Sequence, residues 1–186
     1  MKKTIAMLLA VCMVFLMTAC TKEKTIPPAV QNPDYAPEEL MTLVLDKLSL
    51  PFYVDSASVE LDADNSLYYV GVTESLNLLE TEAAAAESAN VIPFWAVIVK
   101  VKDVKDVQTV KAEMLNGMRQ DRWPHVPVSR MLVIDSGTYI LLALGRNCDS
   151  VVSAFKSILP EKCGEYLERE LKTSVFYARW FFSAWV

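Results

Sequence analysis

The chain of 186 residues contains one histidine, His125, set between Pro124 and Pro127. A metal site built on it would need scattered carboxylates, because no second His and no Cys pair stands at ligand spacing. A serine-hydrolase site would need His125 as its base, yet no Gly-x-Ser-x-Gly elbow is present. The five glycines are all isolated and make no phosphate cradle. Asp62, Asp64 and Ser66 open like a calcium loop, but the turn glycine and the closing Glu are missing. The stretch Asp55–Asn65, DSASVELDADN, therefore reads as an acidic, solvated loop. Cys148 sits at a predicted helix start, where a thiol pKa can fall; that is a property rather than a function. Arg122, Trp123 and His125 form a candidate binding surface, since Trp and Arg anchor interfaces. The competing reading packs Trp123 onto the core. No catalytic set, metal site or cofactor follows from these residues.

Cys20 carries a sharper signal. Lys2 and Lys3 form a basic start, and Ile5 to Met17 is an apolar run of secretory length, too short to span a bilayer alone. The run ends in Met17-Thr18-Ala19-Cys20. Two small residues before a Cys resemble the lipobox of bacterial lipoproteins, although Met17 stands where Leu is usual. The resemblance implies a diacylglyceride on the Cys20 thiol, cleavage before it, and a chain held on the outer face of the cell membrane. Two acyl chains on one residue suffice for stable anchoring. Residues 21–37 hold four prolines and no apolar periodicity, as a stiff spacer would.

Charge points the same way. The formal net charge is −5 and becomes more negative once Lys2 and Lys3 leave. An acidic chain lacks the clustered cations that nucleic acid rewards, so nucleic acid is excluded as a partner. Anionic lipid would not attract it either, which leaves the lipid to do the holding. Cys148 and Cys163 flank a predicted helix about 15 Å long. That separation favours two free thiols over a disulfide, which needs Cα atoms within about 7 Å.

The elements that must position any site run in order from Pro37. Pro37-Glu38-Glu39 starts a helix with acids facing its positive end, and Leu40, Leu43, Val44 and Leu48 give it an apolar face before Pro51. Leu67–Val72 reads as a short strand. Leu76–Ser88, with four consecutive alanines, has helix propensity throughout. Phe94–Val101 is a strand covered on both faces, with Pro93 at its entry. Asp103 caps a helix whose apolar stripe is Val104, Val107, Val110, Met114, Leu115 and Met118, while Lys105, Asp106, Lys111 and Glu113 fill its wet face. Arg130–Ile134 and Thr138–Leu144 are strands joined by a hairpin at Asp135-Ser136-Gly137. Asp149–Leu159 is a helix ended by Pro160. Glu165–Lys172 is charged and helical in composition.

Phe176, Tyr177, Trp180, Phe181, Phe182 and Trp185 crowd the last eleven residues. Two readings stand side by side: a final element packed on the domain, or an interfacial or partner-binding tail with Phe176, Trp180, Phe181 and Trp185 as its contacts.

Several motifs taken together resemble one family. They are Glu80-Thr81-Glu82-Ala83, then Trp95-Ala96-Val97-Ile98-Val99-Lys100-Val101-Lys102-Asp103, then Asp121-Arg122-Trp123, and the Ser136-Gly137 turn leading into Tyr139-Ile140-Leu141-Leu142. Their order resembles the bacterial lipoprotein family catalogued as domain of unknown function 4358, found mostly among Gram-positive anaerobes, over roughly residues 38–158. The resemblance fits tethering, and nothing catalytic is carried over from it.

The expected organisation is a signal peptide over 1–19, a lipidated Cys and Pro-rich spacer over 20–37, a compact domain over 38–159, and a charged then aromatic tail over 160–186. The domain is expected to be α+β, with about four strands in a mixed sheet, a β-hairpin in its C-terminal half and helices mainly on one face. The expected function is a non-enzymatic module that binds an envelope protein or cell-wall component. The alternative is an accessory subunit of membrane-embedded machinery that modifies envelope polymers. An enzyme using His125 or the Asp55–Asp64 carboxylates ranks third.

Overall fold

A computed structural model of the chain describes residues 30–88, 92–119, 128 and 130–170. Its helices are α1 (Pro37–Asp46), α2 (Ser66–Val70), α3 (Val107–Gly117) and α4 (Cys148–Ile158). Its strands are β1 (Val54–Glu60), β2 (Leu79–Ser88), β3 (Phe94–Val101), β4 (Arg130–Ser136), β5 (Tyr139–Gly145) and β6 (Leu167–Glu170). The fold is α+β. The sheet departs from the expectation twice: it has six strands rather than four, and it is antiparallel throughout rather than mixed. Its strand order is β1-β2-β3-β5-β4-β6.

Helices cover both faces, which corrects the one-sided arrangement. On one face α3 lays Val107, Val110 and Met114, with Val70 of α2, against Val97, Val99, Val133, Ile140 and Leu142. On the other, Leu40, Met41 and Val44 of α1 and Val151, Val152 and Phe155 of α4 meet Ala84, Ala86, Ile98, Ile134 and Leu141. Sheet residues thus alternate between two cores rather than between core and water. This is why β3 and β5 read as continuous apolar runs.

Three stretches adopt a different structure from the one their composition suggests. The alanine-rich stretch is β2 after a short turn at Leu76–Leu78, not a helix. Its alanines lie between β1 and β3, with Ala83, Ala84 and Ala86 fully buried, and the small side chains of Ala84 and Ala86 let α1 pack closely on one face. Burial in a ladder outweighs helix propensity there. The start of the acidic loop is β1, an edge strand whose side chains are mostly exposed. The charged segment after Cys163 is β6, which pairs with β4 at the opposite edge.

Leu67–Val72 was expected as a strand and is instead largely the single helical turn of α2, closed by Gly71 in the left-handed region at φ +73°. That glycine also permits a close approach. A Cβ there would lie 2.5 Å from the Met118 backbone nitrogen and 2.9 Å from the Met114 carbonyl oxygen. Gly71→Ala is therefore expected to destabilise by about 1–2 kcal/mol, read as a lower urea midpoint at an unchanged slope.

The hairpin is tighter than expected. Asp135 and Ser136 belong to β4, and Gly137-Thr138 alone make the turn, with Gly137 at φ +58°. The turn defines one end of the sheet, and both chain segments flanking the domain return to it. Asn32, in the stretch read as spacer, donates from Nδ2 to the Ser136 carbonyl and hydroxyl oxygens, each at 3.0 Å. Its Oδ1 accepts the Glu161 N–H at 2.9 Å. The Tyr35 N–H donates to the Tyr139 hydroxyl at 2.7 Å, and that hydroxyl donates to the Tyr35 carbonyl at 2.9 Å.

Candidate functional site

The side chains that the sequence singles out for contact or modification lie outside the described residues. These are Cys20, Arg122, Trp123 and His125, and Phe176, Trp180, Phe181 and Trp185 of the tail. The fixed ends of these stretches can still be located. The Arg169 guanidinium donates to the Asn116 carbonyl at 2.8 Å and to the Met118 carbonyl at 2.6 Å. Glu170 pairs with Arg130 across the β4–β6 ladder. The end of α3, the start of β4 and the end of β6 thus converge at the end of the sheet opposite the hairpin.

A cleft opens toward that same end. It holds about 710 Å³ between the end of α1, with Lys47, Leu48, Ser49 and Leu50, and the outer side of α4. α4 is amphipathic. Val151, Val152, Ala154 and Phe155 enter the core, which turns Ser150, Ser153 and Ser157 outward on one side. Those three hydroxyls, with Asn147 at the helix entrance, line the cleft. Asp149 is held by Arg130, whose other arm binds Glu168. The wall therefore offers neutral donors and acceptors, with Lys47 opposite an already paired carboxylate. Such a surface hydrogen-bonds a polar ligand. The signal in sequence was the Ser150, Ser153, Ser157 spacing, which follows one helical stripe.

A smaller cleft of about 310 Å³ lies at the hairpin end, lined by Val104, Gln108, Asp135, Glu161 and Cys163 among others. Behind it lies the most consequential polar contact of the domain. Lys111, expected on the wet face of its helix, is 1 % exposed. Its ammonium binds Asp135 and donates to the Glu165 carbonyl at 2.6 Å. Gln108 reaches Asp135 at 3.4 Å. Sequence placed Lys111 on the wet face of its helix and Asp135 in the hairpin turn; only the crossing of α3 over β4 brings them together.

The thiols are both free. Burial pushes Cys148 up to about 12, against a smaller opposing pull from Arg130. Its Sγ donates to the carbonyls of Gly145 at 2.9 Å and Ala143 at 3.3 Å. The helix start does not lower its pKa as expected, because desolvation outweighs the helix dipole. Burial raises Cys163 as well.

Asp62 and Asn65 close a turn on themselves. The Asp62 Oδ1 accepts the N–H groups of Asp64 and Asn65 at 2.9 Å each, and the Asn65 amide donates to the Glu60 carbonyl at 2.8 Å. This is an Asx turn leading into α2. Among the described residues, no three His, Cys, Asp or Glu side chains converge on a metal-sized site, and no helix is long and apolar enough to cross a membrane. Compared with known proteins, the chain matches no family model, no curated protein and no solved structure.

Proposed function

We propose that this chain is a lipid-anchored, extracytoplasmic module of the cell envelope that binds rather than catalyses. The observation that carries the anchor is Met17-Thr18-Ala19-Cys20 at the end of an apolar run that begins after Lys2-Lys3. The resemblance to domain of unknown function 4358 supports it. Binding is supported by how the domain uses its reactive groups. Lys111 and Asp135 hold each other, Glu113 holds a loop, Arg130 is shared by two carboxylates, and Cys148 is a buried thiol. These groups are committed to the fold, while the Ser150 and Ser153 hydroxyls of the large cleft are not; Ser157 donates to the Ala154 carbonyl at 2.8 Å. The ligand class that suits them is a neutral, hydroxyl- or amide-rich segment of a cell-wall component or envelope protein.

Two measurements check this reading. Cys20→Ala is expected to abolish incorporation of labelled fatty acid and to shift the chain out of the membrane fraction. Unchanged fractionation and labelling would refute the anchor. Ser153→Trp is expected to fill the cleft and abolish capture of the partner in crosslinked cells while the folded signal persists, since Ser153 is exposed on its helix. Capture equal to that of the native chain would move the contact elsewhere. The accessory-subunit reading is favoured by one observation: the ends of α3 and β6 lie together, so the 120–127 stretch and the tail leave from one end of the domain. It requires capture to be lost when residues 171–186 are removed.

A further inference from the structure

We infer that the hairpin end of the sheet is the surface this domain turns toward the lipid bilayer, and that the serine-lined cleft is displayed away from it. The inference rests on the Cys20 anchor and adds an orientation to it.

Residues 32–35 form a collar on the hairpin. Asn32 alone joins three partners, the Ser136 carbonyl, the Ser136 hydroxyl and the Glu161 N–H. Ser136 in turn donates to the Glu161 carbonyl at 3.1 Å, so collar, turn and the segment after α4 close one ring of hydrogen bonds. Tyr139 exchanges bonds in both directions with the Tyr35 backbone. Lys100 binds Asp34 at 2.7 Å and Glu80 at 3.3 Å, fixing Asp34 to β3, and the Pro33 carbonyl accepts from the Tyr139 hydroxyl at 3.2 Å. A side chain at position 137 would strike this ring, since a Cβ there would lie 3.0 Å from the Asn32 amide nitrogen.

The domain is therefore held from Asn32, not from the start of α1. Asn32 lies twelve positions after Cys20. That stretch reaches at most about 40 Å fully extended, and about 37 Å at the ~3.1 Å per residue of a stiff Pro-rich spacer. The seven-residue strands β4 and β5 add about 23 Å between the hairpin and the opposite end. An attachment fixed at one end by five or more hydrogen bonds keeps that end nearer the surface. Val104, 61 % exposed at the mouth of the smaller cleft, lies at this near end. Lys47 and Asn147 of the larger cleft, and the points from which the 120–127 stretch and the tail depart, lie at the far end.

The test uses the full lipidated chain in phosphatidylcholine vesicles containing an acceptor-labelled lipid. A fluorescent amino acid is placed either at Lys162, near the hairpin, or at Arg146, at the far end; both positions are exposed. Energy transfer from position 162 is expected to exceed that from position 146 by about twofold, given the ~23 Å of strand between the two ends. Combining Asn32→Ala with Tyr139→Phe is expected to bring the two efficiencies together without unfolding the domain. Equal or reversed efficiencies in the otherwise native chain would overturn the orientation. Failure to associate with vesicles would instead refute the Cys20 anchor. Coupling Cys20 to a maleimide lipid in a Cys163→Ser background then keeps the orientation measurable.

Discussion

Lys111→Met is expected to destabilise the domain by about 3–5 kcal/mol, the cost of leaving one member of a buried ion pair without its partner. Lys111 is 1 % exposed and Asp135 only 8 %, so water cannot solvate the orphaned carboxylate well. What remains for Asp135 is the Gln108 amide at 3.4 Å, a long contact. Asp135→Asn is expected to cost a comparable amount, because it leaves the buried ammonium with neutral acceptors only and no compensating charge. The double variant is the informative one. Once both charges are gone, the penalty for burying an unpaired charge disappears, so its loss falls well below the sum of the two single losses. Urea unfolding of the four proteins measures this. Additive losses would mean that the two groups do not interact in solution. Because Lys111 also holds the Glu165 carbonyl, the single variants are further expected to speed amide exchange in Glu165–Glu170 before the rest of the sheet.

Glu113 gives the second large effect, and it depends on pH. Burial acts to raise its pKa, but the Ser75 hydroxyl and the N–H groups of Thr73, Glu74 and Ser75 outweigh that and hold it down at about 2. The N–H contacts are 2.7, 2.8 and 3.0 Å. One carboxylate on α3 thus gathers the loop between α2 and β2. Its folded pKa lies below the ordinary carboxylate value of 4.5. The stabilisation is therefore complete above that value and is lost as the pH falls from about 4.5 to about 2. The partial exposure of Glu113 reduces the full linkage energy, leaving on the order of 2 kcal/mol. Glu113→Gln is expected to lose that amount at pH 7 and to flatten the stability curve over that window. A variant with the same slope below pH 4.5 as the native chain would contradict the assignment.

The elements legible in sequence were those whose signals are local. Pro37 with two acids after it marked α1, and Leu159-Pro160 marked the end of α4. Gly137 marked the hairpin because the backbone there needs a positive φ. What failed depended on neighbours that sequence does not show. Ala83–Ala86 reads as helix until it is placed between two strands, with Ala84 and Ala86 beneath α1, where small residues fit. Asp55–Glu60 reads as loop because an edge strand with little cover needs few apolar residues. Lys111 follows the helical period of charged residues, and nothing local reveals that Asp135 lies across from it. The cleft was not read at all: the Ser150, Ser153, Ser157 stripe on α4 went unremarked, and the α1 wall that makes it concave has no local signal. The one candidate whose chemistry is local, Cys20, needed no fold to be read.

The decisive experiment is mass spectrometry of the N-terminal peptide from protein purified out of native membranes. With Cys20 as a lipidated N-terminus, the peptide is expected to begin at Cys20 and to carry the added mass of a thioether-linked diacylglyceryl group. An unmodified Cys20, whether inside a longer peptide or at the start of one cut by an ordinary signal peptidase, would contradict it.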